Sequence, residues 1–242
     1  MPLILSIETA TDVCSVAVSR GAQVVASRVA QGSQAHAQQL TLLIQAALIE
    51  AGARISDLAA VAVTAGPGSY TGLRIGTATA KGIAYATGAR LIAVPTLQGI
   101  AAGAANIRSP DARAVYCPML DARRMEVYIA AYDSNLQEIA AAEALVVTPE
   151  SMQDFWAKQG IVEAGNRQYA PIVLVGNGVE KCKNELHTLD LIFMNDICLA
   201  QNLSQLAYQR FTKNQFEDLA YFEPNYLKGA NITVSHKKTN TL

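Results

Sequence analysis

Thr64-Ala65-Gly66-Pro67-Gly68-Ser69-Tyr70-Thr71-Gly72-Leu73-Arg74-Ile75-Gly76 follows a β-branched apolar run at 58–63 and precedes a stretch, 73–87, that reads as a helix. A strand that turns through glycines onto a helix N-terminus is the backbone arrangement of an anion site. Glycine lets a ligand approach the main chain closely, and the first helical turn offers unpaired N–H groups and the positive end of a dipole. Gly66, Gly68, Ser69 and Gly72 are therefore candidate phosphate contacts. The same residues also suit a tight turn for steric reasons alone, and the glycines by themselves do not separate the two readings. No Gly-Lys-Ser/Thr follows, so the loop is not a P-loop, and it lacks the spacing of a dinucleotide fingerprint.

Outward from this loop the order is regular. Residues 3–7, 14–18 and 23–29 read as three short strands joined by tight turns, an antiparallel meander. Residues 35–51 give the strongest helical signal, with Leu40, Leu43, Ile44, Ala47 and Leu48 on one face, Ser33 as N-cap and Gly52 after the last turn. Strand 58–63, helix 73–87 closed by Gly88, and strand 91–94 form a β-α-β unit with a right-handed crossover. Antiparallel strands extended by parallel strands and helices predict a mixed sheet. This is the lobe topology of the actin, sugar-kinase and Hsp70 ATPase superfamily.

Beyond a Gly- and Pro-containing boundary at 103–110, strands are predicted at 114–120, 126–132, 144–147 and 171–175, and helices at 148–158 and 199–211. The expected organisation is an N-terminal lobe at 1–107, a second lobe at 108–228 and a loose polar tail at 229–242. The fold class is α/β, with mixed sheets flanked by helices.

Composition narrows the function. Of 242 residues 51% are apolar and 16% charged, with net charge −1, which excludes a disordered chain and gives no long basic face for gripping nucleic acid alone. Four cysteines, none in a C-x-x-C pair, argue against a metal ribbon. No apolar run approaches the ~18 residues needed to span a bilayer, and no leader is expected ahead of the first strand. A cytoplasmic protein with reduced thiols and no membrane contact is expected.

Four segments together resemble the bacterial TsaB (YeaZ) family: 4–11 with 14–18, His36 near the start of the first helix, the loop from Gly66 to Gly76, and Leu120-Asp121-Ala122-Arg123-Arg124-Met125-Glu126-Val127-Tyr128 followed by Gly176-Asn177-Gly178 and Glu223-Pro224-Asn225-Tyr226-Leu227-Lys228. Tyr70 stands where that family usually has Phe, and Glu8 and Ala10 where it more often has Asp and Ser. The resemblance implies a two-lobed actin-like ATPase (ASKHA, ribonuclease H-like) fold without an active site of its own. It implies a partner, the catalytic sister TsaD, and through it TsaE. Together these transfer a threonylcarbamoyl group from its adenylate to an adenosine in tRNAs reading codons that begin with A. The sister family carries a His-x-x-x-His metal pair where this chain has Thr96 and Ile100, and a side chain such as Ile100 cannot ligate a metal.

Two sets of site residues follow. A partner interface is expected on the two N-terminal helices at His36, Leu40, Leu43, Ile44, Leu73, Gly76, Ala80 and Ala84, because the small row 76–80–84 permits close helix contact. A large residue at Gly76 or Ala80 is expected to block association with the fold intact. A phosphate or nucleotide loop is drawn from Glu8, Thr9, Gly66, Gly68, Ser69 and Gly72. Glu8 and Asp12 flank the first turn, where paired carboxylates hold hydrated Mg²⁺ or simply cap the turn; the cap is preferred and no metal is expected. No cofactor is required by the chain, with ATP or ADP reserved for the complex, and tRNA is met only indirectly. A homodimer through the same helices is expected as well. The competing enzyme reading is a small-molecule phosphotransferase of this fold, with Asp121 as its only tempting acid. A peptidase finds no H-E-x-x-H and no Ser-His-Asp set.

Overall fold

β1 (Leu3–Glu8), β2 (Val13–Arg20) and β3 (Gln23–Gln31) form the expected meander, and β1 is extended on its other side by parallel β4 (Ala60–Thr64) and β5 (Arg90–Val94). The order β3-β2-β1-β4-β5 puts β1 and β4 in the middle, which is why both are buried throughout. The computed structural model describes residues 1–32, 35–107, 113–161, 171–186, 191–194 and 198–228. The Ser33 cap and the tail at 229–242 lie outside these residues.

Alternation along β1 assigns its two faces. Leu3, Leu5 and Ile7 pack with Leu40, Ile44, Ala47, Ala80 and Ala84, so α1 (Ala35–Glu50) and α2 (Tyr70–Thr87) cover one face of the sheet. Helix α2 begins three residues before the predicted start, because the Ser69 hydroxyl accepts from the Gly72 N–H at 3.2 Å and caps it there. Gly88 ends it at φ 74°, a left-handed conformation that suits glycine.

The second sheet has the order β10-β9-β6-β7-β8, from β6 (Val115–Asp121), β7 (Glu126–Tyr132), β8 (Glu138–Val146), β9 (Ile172–Val175) and β10 (Ile192–Met194). On its outer face α4 (Pro149–Lys158) buries Met152, Phe155 and Trp156 against Met119, Val127 and Ile129. Thr148 and Ser151 cap α4 reciprocally. The short α5 (Lys183–Leu186) closes the same core.

Between the sheets lies α3 (Thr96–Ile107), where the sequence predicted only a boundary. It buries Leu97, Ile100, Ala101, Ala102 and Ala104 in a core that draws Ile4, Ala62 and Val94 from one sheet and Tyr116, Tyr132 and Val175 from the other. α6 (Ser204–Thr212), after a 3-10 turn at Ala200–Leu203, adds Leu206 and Ala207 to that core. The chain then runs back along the first sheet. Glu217 N–H donates to Leu91 O at 2.9 Å, Asn225 N–H to Ala65 O at 2.7 Å, and Lys81 Nζ to Ala220 O and Phe222 O at 3.2 and 3.1 Å. Residues 217–226 therefore lie against the first lobe, although they follow the second in the chain, and Lys228 pairs with Glu126 of β7.

Candidate functional site

The glycine loop and the turn after β1 are packed against each other. A Cβ on Gly72 would stand 2.0 Å from Thr9 O, one on Gly76 2.2 Å from Thr9 Oγ1, and one on Gly68 2.5 Å from Ala10 O. Ser69 N–H donates to Ala10 O at 2.7 Å, and Gly66 N–H to Thr96 Oγ1 at 3.2 Å. The space that glycines leave in an anion loop is taken here by residues 9 and 10 of the same chain. Of the predicted phosphate set, Ser69 and Gly68 reach the cleft surface; Glu8 and Thr9 are buried at 0% exposure.

Glu8 sits at the C-terminal end of β1 with Oε1 accepting from the Ala10 N–H at 2.6 Å. Its Oε2 reaches no partner at hydrogen-bond geometry among the described residues. Burial pushes its carboxyl up to about 7, a rise that the Ala10 amide and the neighbouring Cys198 and Thr64 side chains offset only in part. A carboxyl enclosed in the core, away from solvent, is a poor ligand for hydrated Mg²⁺, and no cluster of three metal-ligating acids, cysteines or histidines occurs among the described residues.

The expected partner face is turned inward. Leu40, Ile44, Leu73, Ala80 and Ala84 are at most 4% exposed, Gly76 is buried against Thr9, Leu43 is half-buried, and His36 is buried with Nε2 unpartnered among the described residues. The helical stripe was read correctly, but it faces the chain's own sheet, because a lone lobe must bury its apolar stripe first. What α1 and α2 leave exposed includes Leu42 at 61%, Ile49 at 71% and Tyr85 at 83%, and on α2 also Ala78, Gly82 and Ala86. Gly82 has nothing within 4 Å of a Cβ position. The sequence signal for this face was present: Leu42 and Ile49 are apolar residues standing off the core stripe.

Between the lobes a cleft of about 1320 Å³ is walled by the α2 N-terminus, the β6–β7 hairpin and the chain at 226–228. Asp121 is held there by Lys181 Nζ and by the Arg123 N–H, both at 2.6 Å, while its own N–H donates to Asn177 Oδ1 at 3.0 Å. Partial burial raises its carboxyl, but the Lys181 and Arg123 bonds outweigh this and hold it below the usual range. It is an ion-paired hairpin residue rather than a base awaiting a proton. Gly176 and Gly178 pack against Met119 and Val127, which accounts for both glycines without a ligand.

These features define a two-lobed protein of the actin-like ATPase class. Component A of (R)-2-hydroxyglutaryl-CoA dehydratase from Acidaminococcus fermentans shares the fold at TM-score 0.52 and 12% identity, covering 88% of this chain and 100% of that one. YeaZ from Pseudomonas aeruginosa matches at TM-score 0.75 and 25% identity over 94% of this chain and 100% of its own. The tRNA threonylcarbamoyladenosine biosynthesis protein TsaB of Escherichia coli (strain K12) is 30% identical over 230 residues, 93% of this chain and 94% of that protein. A family model described as TsaD, tRNA N6-adenosine threonylcarbamoyltransferase, matches residues 23–237. The chain belongs to the TsaB (YeaZ) family of tRNA threonylcarbamoyladenosine biosynthesis.

Proposed function

We propose that this chain is a non-catalytic subunit of the threonylcarbamoyladenosine synthesis complex that binds a TsaD homologue and holds it in a competent conformation. One observation carries the reading. The two positions where the sister transferases place metal-binding imidazoles are Thr96 and Ile100. Thr96 is buried with its Oγ1 accepting from the Gly66 amide, and Ile100 is 1% exposed in the core between the sheets. Both positions are spent on folding. The filled phosphate loop agrees with a chain that needs no cofactor of its own, ATP or ADP being supplied to the complex.

The docking surface is the outward face of α1 and α2, where Leu42, Ile49 and Tyr85 expose apolar area and α2 also exposes the small residues Ala78 and Gly82. Small residues let partner helices come close, and exposed large apolar groups supply the contact area. A homologous partner offers a similar helix pair, so the same face supports self-association. TsaE joins through the complex, tRNA is met through TsaD, and the complex works in the cytoplasm.

Light-scattering chromatography of the chain alone and mixed with its TsaD homologue tests this. A one-to-one complex that gains tRNA modification activity is expected, and Leu42→Glu with Ile49→Glu should weaken it by at least tenfold while leaving far-UV circular dichroism unchanged. Absence of association, together with phosphate hydrolysis or transfer by the chain alone, would replace this reading by the phosphotransferase one.

A further inference from the structure

Glu8 is the last residue of β1 and is closed off from solvent. Alternation puts it on the same face as Ile4 and Ser6, towards the core shared by the two sheets. Several elements enclose it. β2 brings Ser15, its register partner, and Cys14; β4 brings Thr64; the chain before the 3-10 turn brings Cys198. Ser15 Oγ in turn accepts from the Ala200 N–H at 2.9 Å. These neighbours are hydroxyls and thiols, with no cation among them, and Asp12, the nearest acid in the chain, is exposed. Glu8 Oε1 takes the Ala10 N–H at 2.6 Å, and Oε2 has no partner at hydrogen-bond geometry among the described residues. A carboxylate held away from water needs a cation or several donors, and one amide does not replace them. The folded site therefore fits the neutral acid, and ionisation requires the side chain to reach water.

That movement cannot stay local to one side chain. Ala10, whose N–H Glu8 holds, accepts the Ser69 N–H on its carbonyl at 2.7 Å and stands against Gly68. Thr9, between them, fills the space at Gly72 and Gly76 in the first two turns of α2. Residues 8–10 are thus a key seated in the glycine loop, and the Glu8 carboxyl fastens the key. Gly66 is fastened separately, by its N–H to Thr96 Oγ1 at 3.2 Å and by the Thr96 N–H to its carbonyl at 3.0 Å. Withdrawal of the key therefore loosens the loop after Gly66 and the start of α2.

We propose that Glu8 is a proton-operated latch: as the neutral acid it holds residues 8–10 in the glycine loop, and on giving its proton to water it moves out and releases the loop with the first turns of α2. Burial sets the closed form to titrate near neutrality, with the carboxyl pushed up to about 7. The Cys14 thiol beside it is pushed up to about 11, by burial first and by Glu8 second, and stays neutral throughout. The closed form keeps its proton up to about pH 7, while a solvated Glu8 loses it near 4.5. Opening therefore releases a proton in that interval, becomes easier as pH rises through it, and levels off above about pH 7. The latch is a property of the chain alone. Its bearing on docking rests on the subunit reading, because α2 also carries the exposed Tyr85 and Gly82.

Amide hydrogen exchange of the full-length chain, followed by mass spectrometry over residues 66–76 and over β9 and divided by the chemical exchange rate, tests this. Between pH 5 and pH 8 the protection of 66–76 should fall by roughly tenfold or more, since each pH unit between the two titration points favours opening by up to tenfold. At pH 8 this segment should exchange faster than Ile172–Val175 of the second lobe, the mark of a local opening rather than global unfolding. Glu8→Gln keeps the neutral shape and should hold the same protection of 66–76 at both pH values. Parallel pH profiles for wild type and variant, or exchange over 66–76 no faster than over 172–175 at pH 8, overturn the latch. The chain is measured without a partner, so that result would leave the subunit reading standing.

Discussion

Glu8 stands where the fold brings its first strand to the cleft, yet it is closed off from solvent and its carboxyl is pushed up to about 7 by burial. The native state therefore keeps the proton up to about pH 7, whereas an unfolded chain releases it near 4.5. The native state binds more protons in that interval, so this group's contribution to stability is full below about pH 4.5 and declines as pH rises towards 7. The total is about 3 kcal/mol. Glu8→Gln should remove most of the fall in melting temperature between pH 5 and pH 8. Parallel curves for wild type and variant would show that Glu8 does not titrate in this way. Thr9 gives the other residue-scale lesson. The sequence grouped it with the glycines as a phosphate contact; the structure instead makes it the group that fills the space at Gly72 and Gly76.

The elements of the first lobe were legible because each carries its own local signal. The meander alternates, α1 has a clear apolar stripe, and the glycine loop punctuates a β-α-β unit. α3 was not legible. Its sequence, TLQGIAAGAANI, follows Pro95 directly and is rich in Gly and Ala, signals that also mark a boundary, although most of it is buried between the sheets. The orientation of α2 was not legible either, since Gly76-Ala80-Ala84 and Ala78-Gly82-Ala86 are both small rows and periodicity does not say which one meets the sheet. The structure puts the first inside. Gly76→Leu should therefore destabilise the chain by roughly 1–3 kcal/mol or more, because its Cβ alone would stand 2.2 Å from Oγ1 of the fully buried Thr9. Gly82→Ala, with open space around it, should stabilise the chain by about 0.5–1 kcal/mol through helix propensity. Urea midpoints would check both, and equal effects at the two positions would contradict the assigned faces.

At the scale of the molecule the two sheets share a core. α3 and α6 are packed between them with residues of both, so opening one lobe uncovers the other's buried surface. Cooperative unfolding follows. Trp156, the single tryptophan, lies in the outer core of the second lobe, and Ile7 is fully buried in the outer core of the first. Ile7→Ala should cost about 2–5 kcal/mol and should move the Trp156 fluorescence transition as far as the circular-dichroism transition. A Trp156 transition left at its wild-type midpoint would mean lobes that unfold separately. The last described stretch, 217–228, reinforces the coupling by returning from the second lobe to the first, where Leu219 and Phe222 pack on the α1–α2 side of the sheet.

Local period, turn residues and contiguous motifs were enough to read the order of strands and helices in the first lobe, the mixed sheet they imply, and the family. What each of those motifs meets depends on how the chain packs. Whether a glycine loop holds a ligand or a neighbouring turn, whether a helical stripe faces a partner or its own sheet, and whether Glu8 meets water or the core are all questions about contacts between residues distant in the chain. Local pattern carries the tendency to form an element, but the free energy of burial is settled by the surface that arrives opposite it.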